Sequence, residues 1–120
     1  MSFYLTQGLH RAIRTDPDRV ATVFDGRSQT YAALGERVAR LAGLLVDLGI
    51  GPGDRIGWLA QNSDRILELL LGSVWAGGIG CPLNTRWAKA EVIHAIRECG
   101  VKVMIVGHEF RSFLPEIRLA

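Results

Sequence analysis

From Ala32 onward the apolar residues Leu34, Val38, Leu41, Leu45 and Leu48 step by four, three, four and three positions, the stripe of an amphipathic helix. Thr30 stands where its N-cap belongs, and Gly49 ends it, because a residue with a Cβ held left-handed there loses about 1 kcal/mol. Gly51-Pro52-Gly53-Asp54 then turns the chain into a predicted strand, Arg55 to Leu59. Ser63 is placed to cap the next helix, with Asp64 in its first turn favourably set against the helix dipole. In that helix Ile66, Leu67, Leu69, Leu70, Leu71, Val74 and Trp75 leave almost no polar face, which predicts apolar neighbours on both sides. Ala76-Gly77-Gly78 breaks it, and Ile79 to Leu83 reads as a compact strand. A third helix carries Val92, Ile93, Ile96 and Cys99 on one face and stops at Gly100, before the β-branched run Val101 to Val106, expected as an interior parallel strand.

Upstream, Leu5, Leu9, Ala12 and Ile13 fall at helical spacing, and the segment closes at Thr15-Asp16-Pro17-Asp18, where Pro17 biases Asp16 out of the helical region. Val20 to Phe24, the Asp25-Gly26 turn and Ser28 to Tyr31 predict a small hairpin ribbon. Alternation of helix and strand from Ala32 predicts an α/β fold: a three-layer, mostly parallel sheet with helices on both faces and right-handed crossovers, preceded by the N-terminal β-ribbon. After His108 the residues Phe110, Phe113, Leu114 and Ile117 begin a further pattern that halts at Ala120 without a cap or polar tail, as in a cut chain.

Composition narrows the class. With 120 residues, 48% apolar and 22% charged, the chain is about one packed domain, not a disordered, collagen-like or mucin-like polymer. The net charge is +2, and the basic residues are scattered among acids such as Asp16, Asp47, Asp64 and Glu98, so no basic stripe argues for nucleic acid. Cys81 and Cys99 lack the spacing of a zinc or redox motif, which suits a reduced, cytoplasmic setting. Met1 to His10 lacks the pattern of a secretory signal, and the longest uncharged stretch, Leu69 to Thr85, is interrupted by glycines and a proline and is short for a bilayer, so no membrane span is read.

Candidate chemistry is sparse. The chain has neither the lysine-bearing phosphate loop nor the dinucleotide glycine fingerprint. Gly49-x-Gly51-x-Gly53 and Gly77-Gly78-x-Gly80 lead from helix to strand, whereas phosphate cradles lead from strand to helix, so they read as a turn and as close packing. His10, His94 and His108 are far apart in sequence, and no serine or cysteine lies in a nucleophile motif. Two strand ends remain, Trp58-Leu59-Ala60-Gln61-Asn62-Ser63 and Pro82-Leu83-Asn84-Thr85-Arg86-Trp87. Because the carboxyl ends of parallel strands face the ligand crevice, Asn62, Asn84 and Arg86 are the candidate contacts. The other reading is that the asparagines satisfy loop backbone and Arg86 is a solvated charge.

Thr30-Tyr31-Ala32-Ala33-Leu34 with Arg37, Leu41-Ala42, Leu48-Gly49-Ile50-Gly51-Pro52-Gly53-Asp54-Arg55-Ile56, Asn62-Ser63, Ala76-Gly77-Gly78 and Pro82-Leu83-Asn84-Thr85-Arg86 together resemble the N-terminal region of the adenylate-forming superfamily. That superfamily holds the acyl- and aryl-CoA synthetases, luciferases and peptide-synthetase adenylation domains. The resemblance spans residues 5 to 108 and is best to the fatty-acyl and related acid–CoA ligases. It implies that residues 1–120 are a single α/β subdomain, an incomplete N-terminal part of a larger AMP-binding domain. It further implies a full-length enzyme that activates a carboxylic acid with ATP and Mg2+ to an acyl-adenylate and passes the acyl group to CoA.

By the same resemblance the phosphate loop, the adenine and ribose motifs and the C-terminal lysine lie beyond Ala120. The segment alone is then expected to be inactive, with no catalytic residue, metal ligand or bound cofactor of its own. Arg86 matches a position near the CoA nucleotide phosphate, where a guanidinium suits phosphate through two parallel hydrogen bonds, and Asn84 supports its loop. Trp58, Gly78, Cys81 and Trp87 depart from the residues commoner in the family. The expected partners are the remainder of the chain and, through the uncovered Ile66 to Trp75 face, a second copy of the segment. The competing expectation is a stand-alone, non-catalytic α/β interaction module.

Overall fold

A computed structural model describes residues 6–120, so Leu5 of the first predicted stripe lies outside the described residues. The order is α1 (Gln7–Thr15), β1 (Val20–Phe24), β2 (Arg27–Thr30), α2 (Tyr31–Asp47), β3 (Arg55–Leu59), α3 (Asp64–Trp75), β4 (Ile79–Pro82), α4 (Lys89–Cys99), β5 (Val101–Val106), a 3-10 turn (His108–Phe113) and α5 (Leu114–Arg118). Strands β1 and β2 pair antiparallel as a ribbon, and β3, β4 and β5 form a parallel sheet in the order β4-β3-β5. The α/β expectation with its N-terminal ribbon therefore holds. Asp25 and Gly26 both adopt positive φ, 50° and 77°, the conformation of the tight hairpin turn that matches strand twist.

Helix starts follow local chemistry. The Thr30 hydroxyl accepts from Ala33 N at 3.1 Å, so the ribbon ends at Thr30 and Tyr31 is already helical. Ser63 Oγ accepts from Arg65 N at 3.1 Å. At α4 the Glu91 carboxylate reaches back to Ala88 N at 3.2 Å. Between α2 and α3 the approach is close: a Cβ on Gly72 would stand 2.7 Å from Leu41 Cδ2.

Each face of the sheet has its own core. Ile56 with Leu45, Ile50, Leu41, Val103 and Ile105 forms the core beneath α2, and Leu59 with Leu83, Val92, Ile96 and Phe110 forms the one beneath α4. Strand alternation sends Ile56 and Leu59 to opposite sides, so β3 is buried on both. A third cluster, Leu9, Leu34, Val38 and Leu71, clips α1 and α2 to α3.

The position of β5 differs from expectation. Val101 to Val106 borders the described sheet and is mostly half-buried, while β3 is the central strand. The reason is topological: the chain leaves β3 to one side for β4, then α4 crosses back to set β5 on the other side. An irregularity between Arg55 and Ile56 skips Lys102 in the pairing, and its ammonium donates to Gly49 O at 2.7 Å and to Asp54 Oδ2 at 3.2 Å. The Gly51 amide, and then Lys102, hold the Asp54 carboxyl below its ordinary range.

A polar lock joins the ribbon, α2 and α3. Arg27 donates through Nη2 to Asp64 Oδ1 at 2.5 Å and through Nε to Asp64 Oδ2 at 3.2 Å. Glu68 accepts from Arg37 Nε at 2.6 Å, Arg65 Nη1 at 2.7 Å and Gln29 Nε2 at 3.2 Å. Asp64 and Glu68 are both buried. The Arg27 guanidinium holds the Asp64 carboxyl below its ordinary value of 3.8, against the opposing pull of burial. A depressed carboxylate stabilises the fold above its unfolded pKa and loses that contribution as the pH falls through its folded value. The melting temperature should therefore drop as the pH is lowered below about 4. Asp64→Asn should melt lower than the parent at pH 7 and show a shallower decline below that point, read by thermal melts from pH 7 to pH 3.

Candidate functional site

The two strand ends singled out in the sequence meet in space. Trp58, Ala60, Asn62, Ile66, Pro82, Leu83, Asn84, Thr85 and Arg86 line one cleft of about 320 Å3 at the carboxyl ends of β3 and β4. The cleft arises because β3 hands the chain to α3 on one face of the sheet and β4 hands it to α4 on the other, so adjacent loops diverge. Leu83 N donates to Trp58 O at 2.9 Å, extending the ladder one bond past β4 and holding the walls together.

The polar groups divide by role. Asn84 Oδ1 accepts from Arg86 N at 2.9 Å, closing an Asx turn that fixes the backbone from which Arg86 projects. Arg86 is exposed and has no ion-pair partner among the described residues, in contrast to Arg27, Arg37 and Arg65, each committed to a buried carboxylate. Asn62 joins the same wall from the β3 side, one residue before the Ser63 cap. The floor is Trp58, 3% exposed.

The other sequence candidates are dispersed. His10 stacks edge-on against Trp75 at 4.4 Å, and His94 lies on the exposed side of α4, 3.8 Å from Glu98. His108 sits in the 3-10 turn beside Arg111. Cys81 and Cys99 are free and half-buried, and burial pushes the Cys81 thiol up, the opposite of an activated thiolate. Among the described residues no three His, Cys, Asp or Glu side chains cluster as a metal site, and no helix is long and apolar enough to cross a membrane.

Glu68 was missed by sequence reasoning, although an acid set among leucines in the middle of a helix was the available signal. Trp58 and Gly80 were noted separately but not as a pair. A Cβ on Gly80 would stand 2.7 Å from Trp58 Cη2 and 3.0 Å from Cζ3, so the glycine in β4 makes room for the indole in β3.

A parallel α/β sheet with a crevice at its strand ends and an unpaired guanidinium on a braced loop has the arrangement in which open α/β sheets place their ligand sites. The chain belongs to the AMP-binding enzyme family, whose profile matches residues 9–118. It is 40% identical over 95 residues to a feruloyl-CoA synthase of Amycolatopsis sp, covering 79% of this chain and 19% of that protein. It is 35% identical over 109 residues to a 2-succinylbenzoate–CoA ligase of Listeria monocytogenes, covering 90% and 23%. The N-terminal domain of FACL13 from Mycobacterium tuberculosis superposes with a TM-score of 0.91 at 30% identity, over 99% of this chain and 30% of that one. The chain thus spans about a fifth of the length of the curated relatives it matches.

Gly80→Ala should destabilise the protein by about 1–3 kcal/mol, since the added methyl would stand 2.7 Å from the Trp58 ring and force it to shift. Denaturant unfolding followed by tryptophan emission reads both the stability loss and the displaced ring.

Proposed function

We propose that residues 1–120 are a single α/β subdomain, an incomplete N-terminal part of a larger AMP-binding domain, in a cytoplasmic AMP-forming acid–CoA ligase. In that reaction a carboxylate oxygen attacks the α-phosphorus of ATP and pyrophosphate leaves. The CoA thiol then attacks the acyl carbon and AMP leaves. Mg2+ and cationic groups contributed by the rest of the enzyme would neutralise the phosphate charge that develops. The observation that carries the reading is the family match across residues 9–118, together with two CoA-thioester-forming relatives.

Within this scheme the present residues bind and do not catalyse. Arg86, held by the Asn84 turn, is the contact for a CoA phosphate: it is exposed at the cleft and free of competing carboxylates among the described residues. Asn84 acts on the ligand only through that loop. The 120 residues alone should show no ATP–pyrophosphate exchange; exchange by this segment would overturn the assignment. In the full-length enzyme, Arg86→Ala should raise the KM for CoA on the order of tenfold, the value of one lost charge-assisted contact, and leave pyrophosphate exchange unchanged. An equal fall in both half-reactions would remove Arg86 from the CoA site.

Self-association of the free segment belongs to the same reading. Leu67 and Leu70 are each 38% exposed and Trp75 is 36% exposed along α3, an apolar flank of the kind that pairs in solution. Sedimentation velocity should show concentration-dependent association that Leu67→Lys with Leu70→Lys reduces.

A further inference from the structure

The turn that closes the β1–β2 ribbon carries a reactive pair. Asp25 and Gly26 join Phe24 to its strand partner Arg27, and they hold φ of 50° and 77°. Among the described residues Asp25 is the one with a side chain and a positive φ. A Cβ is strained in that conformation, so opening the turn at Asp25 relieves the backbone. Asp25 is exposed, and nothing among the described residues stands within 4 Å of where a Gly26 Cβ would be.

The other aspartates differ. Asp25 alone precedes a glycine, whose amide nitrogen no side chain shields. Asp16 precedes a proline, which has no amide hydrogen, and Asp18, Asp47, Asp54 and Asp64 precede arginine or leucine. Two of these carboxylates are also held: Asp54 by the Gly51 amide and Lys102, and Asp64 by Arg27.

We infer that Asp25-Gly26 is a site of backbone modification, at which the aspartyl linkage rearranges to isoaspartyl and releases the lock between the ribbon and α3. The Gly26 nitrogen attacks Asp25 Cγ. A nitrogen–carbon bond forms, the bond from Cγ to the carboxyl hydroxyl breaks, and the hydroxyl leaves as water with the amide proton. A second water opens the cyclic imide. Attack at Cγ restores aspartate, whereas attack at the Asp25 carbonyl carbon breaks its bond to the Gly26 nitrogen and leaves the chain running through the former side chain. No electron is transferred and the mass is unchanged.

The product carries one extra methylene in the main chain of a tight turn, directly before Arg27. Arg27 donates to Asp64 at 2.5 and 3.2 Å, and Gln29 of the same strand donates to Glu68 at 3.2 Å. Displacing the start of β2 therefore strips a buried carboxylate of its donors, which is strongly destabilising. The site does not rest on the ligase reading, because the reaction is confined to two residues and water.

Peptide mapping of the folded chain aged at pH 7 tests it. Cleavage after Arg19 and Arg27 releases Val20–Arg27. Its isoaspartyl form should grow as a second peak of equal mass that resists an endoprotease cutting before aspartate and accepts a methyl group from S-adenosylmethionine through isoaspartyl methyltransferase. Asp25→Glu should abolish the peak, because a larger ring would have to close. Asp25→Asn should speed its growth, because ammonia leaves a carboxamide more easily than hydroxide leaves a carboxylate. The isomerised chain, separated from the parent by ion exchange, should melt at a lower temperature, and the difference should shrink in Asp64→Asn. Absence of the peak from the folded chain under conditions in which the free peptide Val20–Arg27 converts would overturn the site. An unchanged melting temperature in the isomerised chain, or an undiminished difference in Asp64→Asn, would overturn the release of the lock.

Discussion

Two carboxylates buried one turn apart on α3 are the constraint on which the packing of this chain depends. Asp64 and Glu68 are 7% and 5% exposed, and an unpaired carboxylate in such a position costs several kcal/mol. Arg27 answers the first with two nitrogens; Arg37, Arg65 and Gln29 answer the second. Apolar packing fixes the rotation of α3 about its axis at one place, where Gly72 lets Leu41 of α2 approach. The ion pairs fix it again at the other end of the helix, because rotation there would strip Asp64 and Glu68 of their donors. The N-terminus of α3, with Ser63 and the neighbouring Asn62, is thereby fixed over the end of β3.

Local patterns were sufficient to read most of the fold. The stripe from Leu34 to Leu45, the Thr30 and Ser63 caps and the Asp25-Gly26 turn each carry their physics within a few residues and appear as anticipated, whereas Leu48, read as the last position of the stripe, follows α2 and is exposed. What was not legible is the order of strands. Val101 to Val106 has the composition of a central strand and lies at the border of the described sheet, while Arg55 to Leu59, with a glycine and a tryptophan in five residues, occupies the centre. Composition reports how apolar a strand is, whereas its neighbours are decided by which side each crossover takes.

The cleft was legible for a different reason. The rule that strand ends in a parallel sheet face the crevice depends on topology class alone, so Asn62, Asn84 and Arg86 follow from the order of elements, and they line one hollow. The ionic lock was not legible as a set: Glu68 meets Arg37 and Gln29 from 31 and 39 residues away, distances over which local periodicity carries no information.

Accounting for the guanidinium groups separates structure from binding. Arg27, Arg37 and Arg65 are spent on buried acids, and Arg55 is spent on the Cys99 carbonyl, which it meets at 2.5 Å. Arg86 differs in that it lines a hollow and meets no acid among the described residues. Arg11, Arg14, Arg97 and Arg118 are unpaired in the same sense but do not border that cleft, as expected of solvated helix charges. A surface cation without a partner is ordinary, and so is a shallow groove. At Arg86 the two coincide, and the Asn84 turn braces the backbone from which the guanidinium projects.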